Sequence, residues 1–134
     1  MKFHSFTFRF WKPLTIGFII YVLCLIPSAE LEKLDVLEIR FTDLLVHFVM
    51  FLVFSAVLYY DLKKYPLHSD RFLAPFTLAL IISLTLGITT EMLQYLIASL
   101  NRTANLVDLL FDSLGTVAGV FLIRFTRQKP DSGP

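Results

Sequence analysis

Four long apolar stretches separated by short polar segments constrain this chain more than any other feature of its sequence. A helix that crosses a hydrocarbon core of about 30 Å needs roughly 17–25 mostly apolar residues. The stretches cover Trp11–Ile26, Phe41–Tyr60, Phe72–Leu100 and Leu106–Phe125. We therefore predict an all-α, polytopic membrane protein with four transmembrane helices in an antiparallel bundle.

The composition agrees with a chain that is surrounded by lipid. Hydrophobic residues make up 56% and charged residues 17% of the sequence, whereas soluble domains average about 45–50% and about 25%. Fourteen Phe residues would overfill a small soluble core, but in a membrane they can face hydrocarbon. The sequence has no basic stripe interleaved with aromatic residues, so nucleic acid is not a predicted partner. The predicted partners are membrane lipids.

The chain is predicted to form one transmembrane domain over residues 1–127, followed by a disordered cytoplasmic tail at 128–134. The 134 residues leave no room for a separate soluble domain. The tail is polar and rich in Pro and Gly. The first stretch also has features of a cleavable signal peptide, with a basic start and a Pro27-Ser28-Ala29 segment. Pro27 stands where cleavage after Ala29 requires a small residue, so we favour a retained helix.

The distribution of basic residues predicts the orientation, because cytoplasmic loops carry an excess of Lys and Arg. Nine of the twelve Lys and Arg residues fall in the N-terminal segment, the loop after the second stretch and the C-terminal end. The other three are Lys33, Arg40 and Arg102. Both termini are therefore predicted to be cytoplasmic, in the bacterial cytoplasmic membrane.

The first outer loop is acidic, with Glu30, Glu32, Asp35 and Glu38. Leu31, Leu34 and Leu37 have the spacing of a short amphipathic helix lying on the outer surface. A solvated loop fits the same residues, and the sequence leaves both interpretations open.

Polar residues inside three of the apolar stretches carry the functional signal. They form pairs three or four residues apart, each on one helical face: Asp43 and His47, Glu91 and Gln94, and Asp108 and Asp112. A charged side chain at the bilayer centre costs about 2.5–3.5 kcal/mol on insertion scales. Such residues turn toward the bundle interior, pair with one another, and mark a functional site by default.

The predicted topology places these pairs at one depth. His47 lies about 6 Å below Asp43, and Asp112 about 6 Å below Asp108, at a rise of 1.5 Å per residue. Glu91 lies roughly 10 Å below the outer end of its helix by the same rise. All three pairs thus fall in the outer half of the membrane, beneath Arg102 in the outer loop. Gly115 and Gly119 continue the stripe of the fourth helix and permit close approach of a neighbour.

At these residues the sequence resembles the VanZ-like family of small bacterial membrane proteins. The resemblance extends from Pro27 to Gly119 and rests on an ordered set of motifs: Asp43-Leu-Leu-Val-His47-Phe48, Glu91-Met-Leu-Gln94, Arg102, and Asp108-Leu-Leu-Phe-Asp112-Ser-Leu-Gly115-Thr-Val-Ala-Gly119. Asp112 departs from the family pattern, in which Asn is commoner. The family takes its name from a glycopeptide-resistance protein associated with teicoplanin, so the resemblance implies a role near the cell envelope.

Three functions remain open for the predicted site, whose residues are Asp43, His47, Glu91, Gln94, Arg102, Asp108 and Asp112. The favoured function is binding of an envelope lipid or glycan headgroup, with Arg102 contacting phosphate or carboxylate. The alternative is a hydrolase or transferase acting on a lipid-linked phosphate, with His47 beside Asp43 as general base and Glu91 as acid. A proton pathway is disfavoured, because the cytoplasmic halves of the helices lack matching ionisable residues.

Each polar residue also has a purely structural interpretation. Asp43 can cap the second helix, Glu91 and Gln94 can form an interhelical hydrogen-bonded pair, and Arg102 can anchor at the interface. No cofactor is predicted. His47 with the acids would suit several divalent ions, but nothing in the sequence fixes one, and no metal is predicted either.

Overall fold

The computed structural model describes residues 3–26, 39–64, 74–97 and 106–126. These residues form four α-helices: α1 (Phe3–Cys24), α2 (Ile39–Lys64), α3 (Pro75–Leu96) and α4 (Leu106–Thr126). No strand occurs among them. The predicted all-α class is therefore confirmed.

Three of the four helices are long and apolar enough to cross a membrane, namely α2 over Thr42–Lys64, α3 and α4. The helix α1 is not among them. Its sequence contains Arg9, Lys12 and Pro13, and its backbone leaves helical geometry at Phe10, with φ −112° and ψ 18°, so its continuous apolar part is short. The chain is a multi-pass membrane protein with three such helices, and the fourth predicted span stays a prediction.

Several helix boundaries differ from the predicted stretches. The α2 helix continues to Lys64 instead of ending at Tyr60, so it includes Asp61. The α3 helix begins at Pro75 rather than Phe72, because Pro has the fixed φ of a first helical residue and no amide hydrogen to leave unpaired. It ends at Leu96, where Ile97 leaves helical geometry.

The polarity of the bundle is inverted relative to that of a soluble protein. Large apolar side chains lie on the outside, including Phe18, Tyr95 and Leu106, which are 70%, 71% and 84% exposed. Ionisable side chains lie inside, including His47 and Asp112. A soluble protein rarely exposes apolar surface this extensively. Hydrocarbon chains accept this apolar surface, and part of the interior is occupied by polar side chains.

The closest helix contact is between α2 and α4, and two glycines make it possible. A Cβ atom on Gly115 would overlap the backbone carbonyl oxygen of Phe48, and one on Gly119 would overlap the carbonyl oxygen of Leu52. Without side chains at these positions the two backbones touch directly. Small residues serve this purpose in membrane helices, where packing rather than the hydrophobic effect holds helices together.

An apolar and aromatic core fills the half of the bundle where α2 and α4 end and α3 begins. Phe76 of α3 contacts Tyr59 of α2 edge-on at 6.4 Å and Phe121 of α4 at 5.8 Å between ring centroids. Phe51 and Val120 are fully buried between the helices. This core fixes the N-terminal end of α3, whereas the buried side chains of His47, Glu91 and Asp112 lie toward the opposite end of the bundle.

Several sequence predictions fall outside the described residues. They concern Arg102, the surface helix at 31–37, the signal-peptide segment at 27–29 and the tail at 128–134.

Candidate functional site

Three buried side chains from three helices converge at the end of the bundle where α2 and α4 begin and α3 ends. They are His47 of α2, Glu91 of α3 and Asp112 of α4, and each is at least nine-tenths buried. One ring nitrogen of His47 and one carboxylate oxygen from each acid all lie within 4.8 Å of one another. We call these three residues the inner group.

A hydrogen bond joins two members of the inner group. His47 Nδ1 and Asp112 Oδ1 are 2.9 Å apart, and the side chains are 2% and 1% exposed. A hydrogen bond in such a dry environment is electrostatically stronger than one in water. The carboxylate that holds the imidazole is therefore Asp112 of the facing helix, whereas the sequence suggested Asp43 of the same helix.

The second carboxylate oxygen of Asp112 is placed differently. Asp112 Oδ2 is buried and has no hydrogen-bond partner among the described residues. It lies beside Gly87 of α3, where an added Cβ would stand 3.2 Å from it. Gly87 therefore makes room for this oxygen one turn away from Glu91, on the same face of α3.

Two further acids extend the cluster toward the helix ends. Asp43 of α2 and Asp108 of α4 are half-buried, and their carboxylate oxygens lie within 4.8 Å of each other and of a His47 ring nitrogen. We call Asp43, His47 and Asp108 the outer group. Because His47 belongs to both groups, the two form one continuous polar cluster that passes from the buried interior to the half-buried end of the bundle.

The inner and outer groups together contain five of the seven predicted site residues. Gln94 belongs to neither group. Its side-chain Nε2 donates a 2.8 Å hydrogen bond to the backbone carbonyl of Cys24, the last residue of α1. Carbonyls in the last turn of a helix have no partner within that helix. Gln94 therefore caps α1 from α3. The seventh residue, Arg102, lies outside the described residues.

Sequence reasoning missed the buried carboxylate of Asp61, which is 3% exposed near the other end of α2. Asp61 Oδ2 has no hydrogen-bond partner among the described residues. The prediction that this half of the helices lacks matching ionisable residues is therefore wrong at Asp61. The signal was available, because Asp61 follows His47 by about four helical turns and so lies near the same face.

Buried hydroxyl groups were also missed. Ser83 and Thr90 of α3 and Thr116 of α4 are fully buried. Thr90 bonds back to the carbonyl of Gly87 at 2.8 Å, in its own helix. Ser83 and Thr116 share the helical faces of Glu91 and Asp112, so the same periodicity would have found them.

The arrangement has three chemical capacities. Carboxylates and an imidazole nitrogen accept hydrogen bonds from hydroxyl, amine or amide groups of a ligand. An imidazole oriented by a carboxylate can act as a general base. The same nitrogen and oxygen atoms are ligands for divalent metal ions.

Comparison with known proteins adds the family. The model of the family described as VanZ/LLP1 matches residues 5–127. The chain belongs to the VanZ/LLP1 family. The VanZ/LLP1 match spans α2, α3 and α4 completely and includes every residue of the inner and outer groups. Neither the curated proteins nor the solved structures contain one with significant similarity to this chain.

Proposed function

We propose that this VanZ/LLP1 protein binds the polar headgroup of a cell-envelope lipid or glycan in the outer half of the bacterial cytoplasmic membrane. The observation that carries the proposal is the graded burial of the polar cluster. Asp43 and Asp108 are half-buried at the helix ends, and Glu91, His47 and Asp112 are buried behind them. A ligand group can approach the first pair and reach the second set.

The proposed topology puts this cluster on the outer side. Both termini are cytoplasmic, because nine of the twelve Lys and Arg residues lie in segments on that side. In this topology α1 also crosses the membrane and supplies the fourth span. The ends at which α2 and α4 begin and α3 finishes then face outward, where precursors of the cell wall are displayed.

The chemistry of the cluster suits a headgroup rich in hydroxyl or amine donors. Four carboxylates accept hydrogen bonds from such groups. Arg102, four residues before the first residue of α4, would add a bidentate contact to phosphate or carboxylate. A link to glycopeptide resistance of the teicoplanin type follows from the family resemblance, and it supplies the assay.

The test is a set of three substitutions in cells whose susceptibility to glycopeptide and lipoglycopeptide antibiotics depends on the protein. Glu91→Gln keeps size and hydrogen-bonding capacity and removes only charge, and His47→Ala removes the imidazole. We expect both to abolish protection. Asp61→Asn is the matched control, because it removes a buried carboxylate from α2 outside the cluster, and it should protect as wild type does.

Membrane level and thermal stability in detergent are measured for each variant. Wild-type protection by Glu91→Gln would show that charge at Glu91 is dispensable and would contradict its part in the proposal. Loss of protection caused only by disappearance of the variant from the membrane would assign Glu91 a structural role instead.

A second function is favoured by the hydrogen bond between His47 Nδ1 and Asp112 Oδ1. A histidine held in this way presents its other ring nitrogen as a general base. The protein would then hydrolyse or transfer a lipid-linked phosphate, with Glu91 as the acid. Purified protein incubated with a polyprenyl phosphate ester should release phosphate, and His47→Ala should remove the activity. Absence of release under all conditions would leave headgroup binding alone.

A further inference from the structure

The inner group gathers two carboxylates and an imidazole in a buried part of the bundle. Glu91 and Asp112 bring two carboxylates, together with His47, into a region that lies within the membrane-crossing helices and is almost closed to solvent. Buried charges in proteins are paired or coordinate metals, because an isolated ion in a medium of low dielectric constant is costly. One divalent cation would balance two carboxylates beside a neutral imidazole.

We infer that His47, Glu91 and Asp112 bind one divalent transition-metal ion of the Zn²⁺ or Mn²⁺ type. Each residue contributes one ligand atom, and the three atoms lie within 4.8 Å of one another. Two ligands that each lie about 2.0–2.2 Å from a common ion are at most about 4.4 Å apart. Three ligand atoms cannot all lie this far apart around one ion, so the side chains would draw closer together when the ion binds.

A separate observation supports a ligand at this place. Asp112 Oδ2 is buried, and no described residue hydrogen-bonds to it, although Asp112 Oδ1 is occupied by His47. A buried carboxylate oxygen without a partner is expensive, and most buried polar atoms in proteins have one. A metal ion supplies that partner and neutralises the carboxylate at the same time.

The donor set selects the kind of ion. Imidazole suits Zn²⁺, Fe²⁺ and Ni²⁺, whereas carboxylates also suit Mn²⁺. Ca²⁺ takes six to eight oxygen ligands in most proteins, and the inner group offers few oxygens and one nitrogen. Zn²⁺ and Mn²⁺ are therefore expected to bind more tightly than Ca²⁺ or Mg²⁺.

The outer group provides a route to this site. Asp43 and Asp108 are half-buried and adjoin His47. Their negative charge therefore raises the local concentration of cations at the end of the bundle where α2 and α4 begin. A bound ion would also cancel the charge of two of the four carboxylates and so lower the repulsion between the cluster and an anionic headgroup; this consequence, unlike the metal site itself, rests on the proposed function.

The test uses the full-length protein, purified in detergent, stripped with EDTA and dialysed. Zn²⁺ and Mn²⁺ are titrated by calorimetry, and bound metal is counted by mass spectrometry. We expect one ion per chain and a rise in thermal stability on addition of metal, because a ligand that binds only the folded state stabilises it. Glu91→Gln and Asp112→Asn should each weaken binding by at least about tenfold, a loss known even for outer-shell partners.

Asp61→Asn is again the matched control, since Asp61 is buried with an oxygen that has no partner among the described residues but belongs to neither group of ligands. It should bind metal as wild type does. Wild-type protein that binds no stoichiometric ion would overturn the inference. So would equal affinities in Asp112→Asn and Asp61→Asn. If a variant does not fold, the metal-dependent stabilisation of wild type and Asp61→Asn decides the question.

No lipid is present in this titration, so its failure is independent of the headgroup proposal. Loss of antibiotic protection in Glu91→Gln together with absent metal binding would retain the proposed function and reject the metal site. Metal binding without any effect of Glu91→Gln on protection would do the reverse.

Discussion

His47 of α2 and Asp112 of α4 are joined at 2.9 Å directly beside the point where the backbones of their helices touch. Gly115, one turn after Asp112, packs on the carbonyl of Phe48, the residue that follows His47. The close backbone contact therefore sets the distance across which the imidazole and the carboxylate meet. Packing and site geometry are coupled through one pair of helices.

The glycine contact gives the first prediction. Gly115→Ala and Gly119→Ala each place a methyl group on a backbone carbonyl that cannot move aside without shifting its helix. Overpacking of this kind costs about 1–3 kcal/mol, so both variants should melt at lower temperature in detergent. Gly17→Ala is the control, because its Cβ would meet only ring atoms of Phe54, at 3.3 Å and beyond.

The expected order is that Gly17→Ala remains close to wild type while the two α4 variants fall. Wild-type melting of Gly115→Ala would mean that α2 and α4 are not in backbone contact at this position. Gly115→Ala should also weaken Zn²⁺ binding, since separating the helices lengthens the approach of Asp112 to His47.

The second prediction separates the hydrogen bond of Asp112 from its charge. Asp112→Asn keeps an oxygen that accepts a hydrogen bond from His47, so stability should stay within about 1 kcal/mol of wild type, whereas Asp112→Ala leaves the buried imidazole without its partner and should cost about 1–3 kcal/mol. Thermal melts of the metal-free proteins measure both. Equal melting of the Ala and Asn variants would show that the bond contributes nothing.

The convergence of the cluster was predictable because three simple rules act together. Helical periodicity puts Asp43 with His47 and Asp108 with Asp112 on one face, alternating helix direction puts them at one depth, and the cost of charge in lipid turns them inward. These rules hold for any packing of the three helices. The rules therefore predict which residues belong to the cluster, but they do not predict which of these residues contact one another.

The partners within the cluster could not be predicted in the same way. The spacing of Asp43 and His47 made Asp43 the obvious partner of the imidazole, but the glycine contact brings Asp112 nearer across the helix interface. Gln94 shares a face with Glu91 in sequence, yet it bonds to the end of α1. Choices of this kind depend on distances between helices, which a single sequence does not contain.

The third prediction concerns Gln94 as a cap of α1. Gln94→Glu preserves shape but, when ionised, loses the donor that bonds the carbonyl of Cys24 at 2.8 Å. A lost hydrogen bond of this kind costs about 0.5–1.5 kcal/mol. Gln94→Met tests the same bond without a charge. Both should lower stability, and the uncharged Gln94→Met should leave Zn²⁺ affinity unchanged, because Gln94 is in neither group of ligands.

Tyr95→Phe is the neighbouring control, since Tyr95 is 71% exposed on the outer face of α3, and it should have no effect on either measurement. If Gln94→Met folds but loses much of its metal affinity, Gln94 is part of the site, as the sequence predicted.

The fourth prediction is the topology. In a background with Cys24→Ala, cysteines introduced as Glu32→Cys and Arg102→Cys should react with a membrane-impermeant maleimide added to whole cells, because both loops carry few basic residues and are predicted to be external. Ser132→Cys should react only after the membrane is opened. The reverse pattern would place the polar cluster on the cytoplasmic side, and labelling of Glu32→Cys only after opening would argue that α1 does not cross.

The backbone contact between α2 and α4 has a mechanical consequence for the cluster. Because these two helices can separate very little, the space between His47, Asp112 and Glu91 can widen only if α3 moves. That helix is held at Phe76 by the aromatic rings of Tyr59 and Phe121. Glu91 lies about 22 Å from Phe76 along α3, at a rise of 1.5 Å per residue. A tilt of α3 by only about 5° about Phe76 therefore displaces the Glu91 carboxylate by roughly 2 Å. Two hydrogen bonds, from Tyr21 to Thr89 and from Gln94 to Cys24, connect the C-terminal half of α3 to α1. The strength of these bonds determines how easily α3 tilts.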